Sequence, residues 1–201
     1  MIDLSSISPQ IVDIRPETKR IPPGQHVASR WPLLDLGIRP KIALEDWRLM
    51  VDGCVERPLQ LNFSDLLALP QYETLADWHC VTTWSMLDNR WLGVRLSDVL
   101  SLAAPKEEAR HLIFEAYDGY TTNIPLEVAL EPGSLIVYGR NGELLSHDHG
   151  GPFRTIITSR YAWKSAKWIR KITLSADDHP GFWEVRGYHN NADFLKEERF
   201  S

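Results

Sequence analysis

The stretch Asp77-Trp78-His79-Cys80-Val81-Thr82-Thr83-Trp84-Ser85-Met86 sets one cysteine among a histidine, two threonines and two tryptophans. A core built for burial alone favours Leu, Ile and Val, because Trp and His bring polar groups that need partners. Aromatic walls and hydroxyls around a soft sulfur suit a thiolate that binds a metal or attacks an electrophile. The competing reading is an inert buried thiol in a strand, since most unpaired cysteines behave as small hydrophobes. His79 is not an imidazole partner for Cys80, because neighbours in a strand point to opposite faces. A distant histidine such as His149 keeps a thiol hydrolase or transferase open.

A second dense patch is His147-Asp148-His149-Gly150-Gly151-Pro152-Phe153-Arg154. On a strand the two histidines would share a face and could hold zinc. A convincing third ligand is missing: His111, His179 and His189 are scattered, and no H-E-x-x-H helix occurs. Gly150-Gly151 marks either backbone brought close to something bulky or a plain turn. The third patch, Tyr161-Ala162-Trp163-Lys164-Ser165-Ala166-Lys167-Trp168-Ile169-Arg170-Lys171, concentrates positive charge in an acidic protein. Lysine amines, arginine forks and a serine hydroxyl are what a phosphate requires; the bland alternative is a solvated basic strand face. G-x-G-x-x-G, G-x-x-x-x-G-K-[ST] and G-x-S-x-G signatures are absent. A cofactor with a metal at one end and a phosphate at the other would use both the thiolate and the basic segment.

The elements that must position these residues are short. With 201 residues, 43% hydrophobic and 24% charged, the chain is a globular domain able to bury a sizeable core. A net charge of -5 with no basic tail argues against nucleic acid as a partner. Eight tryptophans require a core or pocket for large flat side chains. Residues 1–40, with Pro16, Pro22-Pro23-Gly24, Pro32 and Pro40, are expected as an extended arm. Val27, Trp31, Leu33, Leu34, Leu36 and Ile38 give that arm the apolar surface to lie on a domain spanning 41–201. Strands are expected from Ala43 to the Asp52-Gly53 turn, Tyr72 to Ala76, Arg110 to Ala116, Leu135 to Tyr138, Phe153 to Thr158 and Trp168 to Leu174. Serine-capped helices are expected at Ser64 and Ser97, and Asn141-Gly142 reads as a hairpin turn. Many short strands and few helices make a mixed α+β domain rather than a doubly wound sheet. The first ten residues lack a basic region followed by an apolar run, and no window reaches a membrane span. A cytoplasmic chain with Cys54 and Cys80 reduced is therefore expected.

Several ordered motifs together resemble the molybdopterin-dependent oxidoreductases of the sulfite oxidase superfamily, and most of all its short bacterial branch, that of the methionine-sulfoxide reductase catalytic subunits. They are Cys80-Val81-x-x-Trp84-Ser85-Met86, Trp91-x-Gly93-x-x-Leu96-x-x-Val99-Leu100, Gly151-Pro152-Phe153-Arg154, Tyr161-x-x-Lys164-Ser165-x-Lys167-Trp168, and Gly181-Phe182-Trp183-Glu184-Val185-x-Gly187-Tyr188-His189-Asn190. The resemblance implies that the Cys80 thiolate binds molybdenum, with the dithiolene sulfurs of one molybdopterin and oxo or hydroxo oxygens as its other ligands. It implies that Arg154 contacts the cofactor and that His149 stands where these reductases place an asparagine. Ser165, Ala166 and Lys167 match the segment that holds the terminal phosphate, with Lys164 as an added cation. Trp31, Leu34 and Asp35 fall roughly where the reductases use an asparagine and a tyrosine–glutamate pair. Tyr117 stands in for a missing threonine contact.

The activity so implied is two-electron oxygen-atom transfer, with reduction of an S-oxide or N-oxide placed ahead of sulfite oxidation. Val-Thr-Thr-Trp follows the cysteine where sulfite-oxidising relatives carry an arginine-bearing stretch, and the length leaves no room for their dimerisation domain. Trp84, Tyr117 and Tyr161 are candidates to shape the opening over the metal. A small-molecule oxide substrate, a separate electron-transfer partner, no membrane segment and a monomer complete the expectation. The rivals are a non-catalytic molybdopterin carrier or interaction module and a metal-free Cys80 thiol enzyme.

Overall fold

Period-2 burial shows where the strands lie. Leu49 and Val51 are buried while Met50 between them is exposed, and β3 (Leu49–Gly53) ends at the Asp52-Gly53 turn. The computed structural model describes residues 2–201. Its other strands are β1 (Gln10–Asp13), β2 (His26–Val27), β4 (Leu59–Leu61), β5 (Tyr72–His79), β6 (Trp84–Arg95), β7 (His111–Ala116) and β8 (Thr121–Pro125). Then follow β9 (Ser134–Arg140), β10 (Glu143–Leu144), β11 (Arg154–Ile157) and β12 (Ile169–Ser175). Three short helices interrupt them: α1 (Phe63–Leu67), α2 (Leu96–Ala103) and α3 (Leu126–Ala129).

The strands form two mixed sheets. The larger has the order β1-β5-β6-β9-β10, with β2 added beside β6 and β11 beside β9; the smaller has the order β4-β3-β12-β7-β8. This is the mixed α+β fold expected, with mixed sheets and short helices. The proline-rich N-terminal segment contributes strands of its own, since β1 runs parallel to β5 and β2 parallel to β6. One buried cluster, with Trp47, Leu96, Phe114, Ile136 and Ile172, holds the helices and the smaller sheet together. A second, with Trp78, Cys80, Trp84, Trp91, Tyr161 and Trp163, is aromatic. Among the described residues no helix is long and apolar enough to cross a membrane.

Local structure departs from the sequence reading at the helix starts. Asn62, not Ser64, caps α1: its side chain accepts from the amides of Ser64 and Asp65, and the Asp65 carboxylate returns a bond from the Asn62 amide. Asparagine accepts these bonds as well as serine does, and a cap of this kind contributes about 1 kcal/mol. At α2 the cap position is Arg95, with no side-chain bond, and Ser97 lies inside the helix. His147–His149 forms a 3-10 turn rather than a strand. The two imidazoles go separate ways: His147 Nε2 meets the Pro40 carbonyl at 2.5 Å, while His149 stacks on Trp31.

Gly93 sits at an irregularity where β6 crosses β9, and a Cβ there would strike the Ile136 carbonyl and lie 2.7 Å from Val137 Cα. Backbone cannot retreat as a flexible side chain can, so Gly93→Ala should lose about 1–3 kcal/mol in denaturant titration. An unchanged midpoint would show that the two strands have slack.

Candidate functional site

Cys80 lies where β5 reverses into β6. The Thr83 amide donates to the Cys80 carbonyl at 3.1 Å and the Cys80 amide to that of Trp84 at 2.9 Å, closing a tight turn. The side chain is 6% exposed and opens into an elongated cavity of about 380 Å³. Its Sγ is 3.2 Å from Thr82 Oγ1. Burial pushes the thiol pKa up against the opposing bond from Thr82 and the smaller pull of the Arg199 cation. His79 faces away, its Nδ1 2.8 Å from Ser85 Oγ and its ring against Phe194.

Around the sulfur the walls are uncharged: Val81, Trp84, Ala162, Trp163, Trp183 and Tyr188. Tyr188 is stacked on Trp183 and set edge-on to Trp163. Burial and then the Cys80 thiol beside it push its phenol pKa up. Two wall residues carry unsatisfied donors, because the indole N–H groups of Trp78 and Trp84 are buried without a partner. Burying such a group unpaired costs of order 1–3 kcal/mol, which an acceptor in the cavity would recover.

The same cavity also carries charged residues. Arg154 points in from the start of β11, fully buried, with its guanidinium donating to the carbonyls of Thr155, His149 and Ser165 at 3.3, 3.0 and 3.1 Å. Its planar face lies 5.0 Å from the Trp78 ring and 5.5 Å from Trp31. Burial lowers its pKa to about 9, which still leaves it cationic at neutral pH. Lys167 donates to the Asp148 carbonyl at 2.9 Å and lies 3.9 Å from the Asp35 carboxylate. Burial, then Arg154, push it down to about 8. Burial works against ionisation of Asp35, but the Gly37 amide, Arg39 and Lys167 outweigh it and hold the carboxyl below its usual range. Asp118, which also lines the wall, is raised by burial.

The structure thus brings Trp31, Leu34, Asp35, Cys80, Arg154, Ser165 and Lys167 to one cavity. His149 stands behind Trp31, the rings 4.0 Å apart, with Nε2 buried and unpartnered. Burial, Arg154 and Lys167 lower its pKa. Ala166 is wholly buried and its amide is taken by Thr155 Oγ1 at 2.7 Å. Tyr117 lies apart, its hydroxyl bonded to the backbone of Arg48. Lys164 also lies apart, in a buried ion pair with Glu184 at 2.6 Å and bonded to Asn123 Oδ1 at 3.0 Å. The paired glycines serve both purposes weighed for them. Gly150 has φ 100 and closes the 3-10 turn, and a Cβ on Gly151 would come within 2.6 Å of the Leu145 carbonyl. Sequence reasoning passed over Asp118, Trp163, Trp183 and Tyr188 as cavity residues, while Trp78 and Trp84 form the aromatic walls expected of them. The aromatic density of the C-terminal motif was a usable signal for Trp183 and Tyr188; Asp118 beside Gly119 reads only as a turn.

A soft thiol, two unpartnered indole donors, a lysine and an arginine lining one cavity of about 380 Å³ suit a cofactor-binding domain. The model of the oxidoreductase molybdopterin-binding domain family matches residues 36–183, and the chain belongs to that family, related to the sulfite oxidases and the methionine-sulfoxide reductases. Over 186 residues, 92% of this chain and 94% of the relative, it is 45% identical to the uncharacterized oxidoreductase YuiH of Bacillus subtilis (strain 168). It is 27% identical to the protein-methionine-sulfoxide reductase catalytic subunit MsrP of Campylobacter jejuni, over 70% of this chain and 52% of that one. The chain therefore spans about half the length of that reductase. The sulfane dehydrogenase SoxCD from Paracoccus pantotrophus shares the fold, with a TM-score of 0.65 at 24% identity, over 74% of this chain and 42% of that one. Among the described residues no group of three or more His, Cys, Asp or Glu side chains is placed to hold a metal ion.

Proposed function

We propose that this chain is a molybdopterin-dependent oxidoreductase that reduces an S-oxide or N-oxide by two-electron oxygen-atom transfer. The observation that carries this reading is the single cavity in which the Cys80 sulfur and the Lys167 ammonium both take part. Its donor set fits the family's cofactor. Cys80 offers the one soft ligand, Arg154, Lys167 and Ser165 suit a phosphate, and the indole donors of Trp78 and Trp84 meet acceptors. Asp35 and Asp118 are acceptors matched to the N–H edge of a pterin. When bound, the molybdenum cofactor supplies the two-electron exchange with the oxygen atom. The protein's part is to orient and enclose. Trp84, Trp163, Trp183 and Tyr188 give the cavity aromatic walls that exclude water. Electrons come from a separate partner, and the chain works as a cytoplasmic monomer.

Purification from a host that makes the cofactor, followed by metal and pterin analysis and a dye-coupled screen of oxides against sulfite, tests this. Near-stoichiometric molybdenum with oxide-dependent dye oxidation is expected. Protein that folds without molybdenum would overturn the reading.

Lys167 sets a pH dependence. Its folded pKa, about 8, lies below the ordinary value of 10.5, so folding favours the neutral amine. Protonated Lys167 therefore costs the fold stability below about pH 8, and the cost disappears as pH rises toward 10.5. An anion binds the protonated form, so pyrophosphate affinity in the cofactor-free chain should fall by up to about tenfold per pH unit above 8. Titration calorimetry at pH 7 and pH 9 reads this; equal affinity at both would remove Lys167 from the phosphate site.

A further inference from the structure

The turn that carries Cys80 is held by two segments remote from it in sequence. Internally it is weak: two backbone bonds close it, and Thr83 sits at φ 73, an unfavourable conformation for a β-branched residue. From the N-terminal side, Gln25 Nε2 donates to the Cys80 carbonyl at 3.0 Å, and the His26 amide donates to that of Thr83 at 2.9 Å. From the C-terminal side, Arg199 Nη1 donates to the Val81 carbonyl at 2.7 Å and Nη2 to the Pro23 carbonyl at 3.2 Å. Arg199 thus joins the turn to the segment that brings Gln25. Behind Gln25, Ser85 Oγ lies 3.4 Å from its Oε1 and 2.8 Å from His79 Nδ1. With the imidazole proton on Nδ1, His79 donates to Ser85, Ser85 to Gln25 and Gln25 to Cys80, so every donor in the row has an acceptor.

We propose that Gln25 and Arg199 are positioning residues for Cys80: they grip the carbonyls of Cys80 and Val81 and so aim the sulfur into the cavity. Neither touches the sulfur. Rotation of the Cys80–Val81 peptide plane would swing the thiol, and the two bonds oppose that rotation. The Arg199 bond is charge-assisted and therefore the stronger of the two. The role rests on Cys80 being the metal's thiolate ligand, as proposed above.

Two readouts on the full chain separate this inference from that reading. In cofactor-free protein, peptide-mapped alkylation of Cys80 by iodoacetamide reports how often the turn opens. Arg199→Ala and Gln25→Leu should each speed it about tenfold, the scale of one lost strong hydrogen bond. Arg199→Lys, which keeps a cationic donor, should restore most of the protection. Arg57 is the control, because it donates to the carbonyls of Leu102 and Ser101 at 2.8 and 3.3 Å, away from the cavity. Arg57→Ala should leave alkylation unchanged even where it lowers the melting temperature. In molybdenum-loaded protein, Arg199→Ala should shift the sulfur-to-metal charge-transfer absorption and lower kcat with little change in KM. Alkylation within twofold of the parent in both variants overturns the proposal. So does acceleration that Arg57→Ala reproduces in proportion to lost stability. If the chain takes up no molybdenum, the functional reading fails while the alkylation series still decides whether the clamp exists.

Discussion

Cys80→Ser is expected to remove turnover while leaving most of the pterin bound. A serine hydroxyl is a hard, weakly acidic ligand where the site offers a soft sulfur, so the metal would lose the single protein bond proposed for it. Changes to the outer partners of metal ligands already cost about 10- to 100-fold, and loss of the ligand itself should exceed that. Pterin retention should persist because its proposed grips, Arg154, Ser165 and Lys167, belong to the charged part of the cavity. The fold should tolerate the change, since the Cys80 side chain contributes little volume and Thr82 Oγ1 beside it can bond a hydroxyl. Activity assay, metal analysis and pterin fluorescence after denaturation read the three consequences. Substantial turnover in a metal-loaded serine variant would refute ligation by Cys80.

The largest effect on stability is expected at Glu184. Its carboxylate pairs with Lys164 at 2.6 Å, both side chains 1% exposed, and accepts from Thr122 Oγ1 at 2.8 Å and Trp163 Nε1 at 3.1 Å. Burial lowers the Lys164 pKa and Glu184 does most to raise it again, with Asn123 Oδ1 as a second, neutral acceptor at 3.0 Å. Glu184→Ala leaves a buried cation without its counter-charge, bonded only to Asn123, and strands an indole N–H and a hydroxyl with it. Removing one member of such a pair costs about 3–5 kcal/mol, or a melting temperature lower by roughly 6–20 °C for a domain of this size. Replacing both residues, Lys164→Met with Glu184→Leu, should cost less than Glu184→Ala alone, because no charge is then stranded. A drop of under about 2 °C in Glu184→Ala would show that water reaches Lys164. Because Trp163 also walls the cavity, Glu184→Ala should loosen the site as well as the fold.

Lys164 also marks a limit of reading chemistry from a linear pattern. On paper it sits one residue from Ser165 and three from Lys167, a single basic cluster. In space Lys167 faces the cavity, while Lys164, in the short 3-10 turn before Ser165, faces Glu184. Three residues of irregular backbone carry no fixed period, so nothing in the order of types says which amine points where. Tyr117 shows the same limit: its hydroxyl is committed to the backbone of Arg48, a partner 69 residues away. Asp118 could be read only as a turn residue until the packing of the chain placed Lys167 and Asp35 near it.

Other features were legible because they are local. Alternating burial placed β7 and β12 within a residue, since a pleat repeats every two residues whatever lies beyond it, whereas β3 starts at Leu49, well after the expected Ala43. Asn141-Gly142 turns β9 into β10 as its φ values of 52 and 82 require. The opposite facing of His79 and Cys80 followed from the same alternation.

By its order of residue types alone, the chain determined its α+β class, the cysteine set among aromatic residues, its basic segment and its family. These depend on short-range periodicity and on which side chains are present. Only the tertiary structure decided that Cys80 and Lys167 share one cavity, that Lys164 serves the core, and that Gln25 and Arg199 meet at the cysteine turn. Those outcomes require segments up to 176 residues apart to pack together, as Arg199 and Pro23 do. Such packing is settled by the burial of the whole chain at once, and no local spacing encodes it.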